Sequence, residues 1–230
     1  MPFFYYYDPT YVLVLIAFAL SLFASFGVNA TFSKYKKVRS GRGITGAEAA
    51  RKILDGNGLY DVRVEHISGN LNDHFDPKAN VIRLSDATYN DSSVAAIGVA
   101  AHEAGHAVQH ATEYVPIKLR NSIVPVVNIS TSLSMPLFLI GLLLGYTGLT
   151  TLGIILFSAS LLFQLVTLPV EFNASGRAIK ILDTSGMLDD GELKGAKKVL
   201  RAAGMTYVAA AAASALQLLR LFIIANRRRD

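Results

Sequence analysis

The chain reads as a mainly α-helical, membrane-anchored protein with a small β-sheet. Three observations lead there: 52% of its 230 residues are hydrophobic, two apolar blocks are long enough to cross a bilayer, and a polar, turn-rich stretch separates those blocks. Each element follows from the sequence in turn.

Residues 11–32 carry no charge over 22 positions, which matches the roughly 20 residues that span a hydrocarbon core. Tyr5, Tyr6, Tyr7 and Tyr11 precede or open this stretch as an interfacial aromatic belt. No Lys or Arg stands before it, whereas Lys34, Lys36, Lys37, Arg39 and Arg42 follow. That pattern predicts a retained first transmembrane helix rather than a cleaved signal peptide.

Residues 33–121 form a polar segment. Thr45 and Glu48 have capping-box spacing and open a helix that runs to about Asp55 and stops at Gly56-Asn57-Gly58. Strand-like runs follow, from Val62 to His66 and from Ala79 to Leu84, divided by the turn-rich residues 68–78. Asp91-Ser92-Ser93 then supplies an N-cap for a long helix from about Val94 to Thr112.

The second apolar block, from Ile123 to Leu168, carries no charged residue over 46 positions. One span would be far too long, so two are expected, 122–145 and 149–168, joined at Gly145-Tyr146-Thr147-Gly148. A charged helical segment, 169–204, follows. The last apolar stretch, 205–225, contains Thr206, Ser214, Gln217 and Arg220. A span there would leave Arg227, Arg228 and Arg229 on the outer face, so a packed or interfacial helix is favoured over a fourth span.

Charge sets the topology. Twelve Lys and Arg lie in 33–121 and six in 169–204, against none in the first ten residues or the hairpin turn. The two basic segments should therefore be cytoplasmic, with the N-terminus and the turn outside. The formal charge of +5 sits beside apolar runs rather than in a patch with interleaved aromatics, which argues for membrane lipid and against nucleic acid as a partner. The chain has no cysteine, so disulfides, thiolate metal sites and cysteine nucleophiles are excluded, and any metal must be held by His, Asp or Glu.

The long helix carries His102-Glu103-Ala104-Gly105-His106. Histidines four residues apart project from one helix face and can share an ion, and Glu103, one step round, can reach a water on that ion without ligating it. H-E-x-x-H thus means two zinc ligands and a general base. A hydrolytic zinc usually has a third protein ligand and an open position for water. His110 and Glu113 lie too far along the axis, His110 being about 12 Å from His102 at 1.5 Å per residue. Glu171, just past the hairpin and in the first turn of a helix opened by Pro169, returns to the same side of the membrane and is the expected ligand. His66 and His74 are its rivals.

HEAGH, a hydrophobic hairpin and then Glu171-Phe172-Asn173-Ala174-Ser175-Gly176-Arg177, opened by the motif YYYDPTY, resemble the YugP-type neutral zinc metallopeptidases. These are membrane-bound gluzincins related to the HtpX and Ste24 enzymes. The resemblance covers nearly the whole chain. It implies a zincin-like catalytic domain, one Zn2+ per chain, and a hairpin inserted between the H-E-x-x-H helix and the third-ligand helix. In the larger group an Asp four residues after the ligand Glu supports a zinc histidine, and Ser175 stands at that place here.

Ser175 faces the same way as Glu171 and can still hydrogen-bond a ligand. Arg177, His110 and Tyr207 are candidate donors to a developing oxyanion. The segment from Asn72 to Leu84 is a candidate edge strand for an extended substrate. The expected function is a multi-pass membrane zinc endopeptidase whose polypeptide substrates are unfolded or membrane-near. An intramembrane protease of the site-2 type and a non-catalytic zinc-binding scaffold are the alternatives. Oligomeric state is not legible.

Overall fold

The structure, a computed structural model, describes residues 8–227. The expected belt tyrosines Tyr5, Tyr6 and Tyr7, and also Arg228 and Arg229, lie outside the described residues. Among those described, the elements are α1 (Tyr11–Lys36), α2 (Gly46–Gly56), β1 (Arg63–His66), β2 (His74–Asp76), β3 (Val81–Leu84), α3 (Val94–Ala111), α4 (Val115–Leu144), α5 (Thr147–Thr184) and α6 (Asp190–Asn226).

The chain divides into two compact units. One comprises residues up to Phe23, 120–166 and from Tyr207 onward; the other comprises 24–119 and 167–206. Helices α1, α4, α5 and α6 are long and apolar enough to cross a membrane. In the first unit α4 and α5 meet backbone to backbone. A Cβ on Gly153 would lie 2.6 Å from Phe138 N, and one on Gly141 would lie 2.4 Å from Thr150 N. Such close approach is how helices gain packing in lipid, where burial of apolar surface drives nothing. Phe138, Ile154 and Leu221 form the buried cluster of this unit.

The second unit has a conventional core. Ile53 and Leu54 of α2, Ile82 and Leu84 of β3, Ile97 of α3 and Leu182 of α5 are at most 1% exposed, and each contributes about 1.5–3 kcal/mol by burial. Helix α3 runs through this core with an almost wholly buried surface of small residues, including Ala100, Ala101 and Ala104. The small side chains let neighbouring elements approach its backbone.

Local chemistry sets the boundaries. Thr45 Oγ1 accepts from Glu48 N–H at 3.2 Å and Glu48 Oε2 accepts from Thr45 N–H at 2.8 Å, so α2 opens with a full capping box. Ser93 Oγ accepts from Ala96 N–H at 3.2 Å and opens α3. The sheet has the order β1-β3-β2, with β1 parallel and β2 antiparallel to β3. Strand β2 is therefore an edge strand.

The structure departs from the sequence expectations in three places. Residues 74–76, read as part of a turn-rich stretch, pair with β3. Pro169 does not start a helix: α5 continues through it, because a single missing N–H is tolerable where neighbours support the helix. The apolar stretch 205–225 is the second half of the 37-residue α6. Its Arg220 is anchored inside the first unit: Nε donates to Thr10 Oγ1 at 3.2 Å, Nη2 lies 3.7 Å from Asp8 Oδ2, and the guanidinium stands 4.7 Å from the Tyr11 ring centre.

Candidate metal centre

The i, i+4 spacing on α3 brings the two imidazoles together, with His102 Nε2 and His106 Nε2 3.1 Å apart. Helix α5 delivers Glu171, 2% exposed, so that its Oε2 lies 3.3 Å from His102 Nε2 and 3.5 Å from His106 Nε2. A tetrahedral zinc with bonds of about 2.05 Å holds neighbouring ligand atoms about 3.3 Å apart. The three donor atoms already have that spacing and that chemistry, and the group could hold a metal ion.

The approach of α5 depends on Gly105, between the two histidines. A Cβ there would lie 2.7 Å from Ala174 O and within 3.4 Å of two more backbone atoms of Ala174. Only glycine allows α3 and α5 to come this close, and Ala174 lies three residues past Glu171.

Each histidine has a partner on its other nitrogen. His102 Nδ1 lies 3.1 Å from Ser175 Oγ. His106 Nδ1 lies 3.0 Å from Gln109 Oε1, and Gln109 Nε2 donates to Val170 O at 2.8 Å and Asn173 Oδ1 at 3.0 Å. Such outer contacts orient metal-binding imidazoles. Ser175 was expected here; Gln109 and Asn173 were not. The available signal was the i, i+3 spacing of His106 and Gln109, which puts them on one helix face.

Glu103 is buried, and its Oε2 accepts from the backbone N–H of Phe75 on β2 at 3.0 Å. Burial pushes its carboxyl above the ordinary range; the nearby His102 and His106 oppose that shift, and Glu171 and Asp73 add to it. For His106, burial disfavours the charged form, but the bond to Glu171 and the charge of Glu103 outweigh it and raise its pKa.

Two of the remaining candidates make contacts within the same unit. Arg177 Nε donates to Asn173 Oδ1 at 2.8 Å, and its guanidinium stands 5.8 Å from the Tyr114 ring centre. His110 is exposed and meets the Phe75 ring edge-on at 5.9 Å. Tyr207 belongs to the other unit. The rival ligands are engaged away from the triad: His66 with Asp86, His74 with Asn72 O and Arg83, Glu113 with Lys118. Of the segment from Asn72 to Leu84, it is β2 that forms the sheet edge and reaches α3 through Phe75. At 18 residues, α3 is not among the helices long and apolar enough to span a membrane.

Residues 10–226 match the model of the family described as "Putative neutral zinc metallopeptidase". The chain belongs to that family. It is also 52% identical over 218 residues to "Putative membrane protease YugP" of Bacillus subtilis (strain 168), covering 95% of this chain and 97% of that protein. No solved structure matches. The family, the name of that relative and the four apolar helices fit a multi-pass membrane protein, and His102, His106 and Glu171 supply this family member with a donor set suited to zinc.

Proposed function

We propose that the protein is an integral-membrane zinc endopeptidase of the gluzincin type, with His102, His106 and Glu171 as ligands of one Zn2+ per chain and Glu103 as general base. The observation that carries this reading is the convergence of three donor atoms at 3.1, 3.3 and 3.5 Å. Zinc bound there supplies a Lewis acid that polarises a peptide carbonyl and acidifies water. Glu103 takes a proton from the attacking water and passes it to the leaving amine, and burial raises the pKa of this carboxyl, which makes it a stronger base. Its bond from Phe75 N–H keeps the carboxylate from rotating away.

Substrates are polypeptides, unfolded or close to the membrane. Glu171 follows the uncharged block that ends at Leu168 by only three residues, which keeps the site near the bilayer. The basic segments 33–121 and 169–204 support a cytoplasmic site under the positive-inside rule. An extended chain would add to the edge of β2 through backbone hydrogen bonds, which tolerate many side chains. Ser175 orients His102.

Purified full-length protein tests the reading. Wild-type protein should bind one zinc per chain and cleave an unfolded polypeptide such as casein. Glu103→Gln retains the zinc and loses hydrolysis by about 10²–10⁴-fold, the range for removal of a general base. Undiminished cleavage by that variant overturns the mechanism.

A further inference from the structure

Gln109 is fully buried, and the peptidase mechanism does not use it. We infer that Gln109 is a positioning residue: clamped by Val170 and Asn173 of α5, it holds the His106 imidazole with a proton on Nδ1 and the Nε2 lone pair turned to the metal. The inference rests on the zinc reading above and adds to it which residues prepare the ligand.

The assignment follows from groups whose hydrogen-bonding role is fixed. Val170 O can only accept, so the Gln109 atom 2.8 Å away is its NH2 group. The other end of the amide, facing His106 Nδ1 at 3.0 Å, is then the oxygen. An amide oxygen can only accept, so Nδ1 carries the proton. A neutral imidazole has one N–H, which leaves Nε2 bare, and Nε2 is the atom near His102 and Glu171.

A second constraint gives the same answer. Arg177 Nε–H can only donate, so the Asn173 atom 2.8 Å from it is the oxygen. That oxygen also lies 3.0 Å from the nitrogen end of Gln109, which must donate to it. Val170 O and Arg177 Nε therefore specify the same orientation of the Gln109 amide. A residue that merely tied α3 to α5 would need only its NH2 group and would not need its oxygen on the imidazole. Ser175 differs, because a hydroxyl can donate or accept and leaves the His102 tautomer open.

The test measures zinc affinity of the full-length protein by chelator competition. Gln109→Leu keeps the bulk and removes the acceptor, and should weaken zinc binding about 10- to 100-fold, as loss of an outer partner of a ligand histidine does. In zinc-loaded protein carrying 15N-labelled histidine, the slowly exchanging Nδ1 proton of His106 should be lost in the same variant. Asn173→Leu should weaken zinc, while Asn173→Asp, which keeps the acceptor for Gln109 and Arg177, should stay within about threefold of wild type. Wild-type zinc affinity in Gln109→Leu overturns the inference alone; no zinc on the wild-type protein overturns the peptidase reading as well. If Gln109→Leu does not fold, the Asn173 pair decides, and equal affinity in both overturns the inference.

Discussion

Phe75 donates its backbone N–H to Glu103 Oε2 at 3.0 Å across 28 residues of sequence. The edge strand and the carboxylate read as the general base are thus mechanically joined. Proline at position 75 removes this donor and is tolerable on a sheet edge, while Phe75→Ala removes only the ring. Hydrogen bonds to charged groups contribute about 1.5–3 kcal/mol. Phe75→Pro should therefore lower kcat about tenfold or more below Phe75→Ala, with equal zinc content in the two. Equal kcat values would show that the strand does not hold the base.

Gly105 makes a second prediction. Alanine there gains up to about 1 kcal/mol of helix propensity, but its Cβ would lie 2.7 Å from the Ala174 carbonyl oxygen. Overpacking of this kind costs about 1–3 kcal/mol, and the clash is with backbone, which cannot rotate away. The clash wins: Gly105→Ala should lower the Tm and weaken zinc, since separating α3 from α5 moves Glu171 off the imidazole pair. Gly56→Ala, with nothing within 4 Å of the added Cβ, is the control. A loss of zinc affinity in both variants would break the link between helix spacing and the metal.

The buried carboxyl of Glu103 should make the metal-free protein pH-sensitive. Its folded pKa is raised above the ordinary 4.5, so the folded state binds the proton more tightly than the unfolded state does. That contribution to stability is complete below 4.5 and is lost as pH rises through the raised value. His106, raised above 6.5, adds a loss of the same sign above that pH. Zinc-free wild-type protein should lose stability as pH climbs from about 4.5. Glu103→Gln, still an acceptor for Phe75 N–H, should be more stable than wild type at neutral pH when zinc is absent. Thermal unfolding in chelator at several pH values measures this, and a wild-type Tm that rises over the window contradicts it.

These predictions draw on contacts of unequal legibility. The imidazole pair was readable because helix periodicity fixes it, and α3 was readable because Asp91-Ser92-Ser93 offers cap residues, of which the structure uses Ser93. Glu171 was found by topology, although the reason given for a helix start at Pro169 did not hold. Strand β2 was legible only as part of the candidate edge segment from Asn72 to Leu84, and its bounds were not, because His74, Phe75 and Asp76 sit among turn-forming residues and pair with β3. The bond from Phe75 to Glu103 was invisible for a different reason: a backbone N–H has no residue signature. Gln109 lies 61 residues from Val170, and nothing local marks that pairing. Arg177, one of three candidate oxyanion donors, also donates to Asn173.

Arg220 of α6 and Arg227 just past it make the final prediction. The charge rule disfavours a fourth span, which would strand positive charge outside. The structure pairs Arg220 and Arg227 with Asp8, at 3.7 and 3.4 Å, which offsets part of that charge. Asp8 precedes α1 and Arg227 follows α6, so the start of the first apolar helix and the end of the last lie at one end of their unit. Crossing in opposite directions follows if α1 and α6 both span. The chain has no cysteine, so single introduced ones report position without background. Tyr146→Cys and Arg227→Cys should react with an impermeant maleimide from outside intact cells, and Lys180→Cys only after permeabilisation. Labelling of Tyr146→Cys from outside but of Arg227→Cys only after permeabilisation would mean that α6 does not cross.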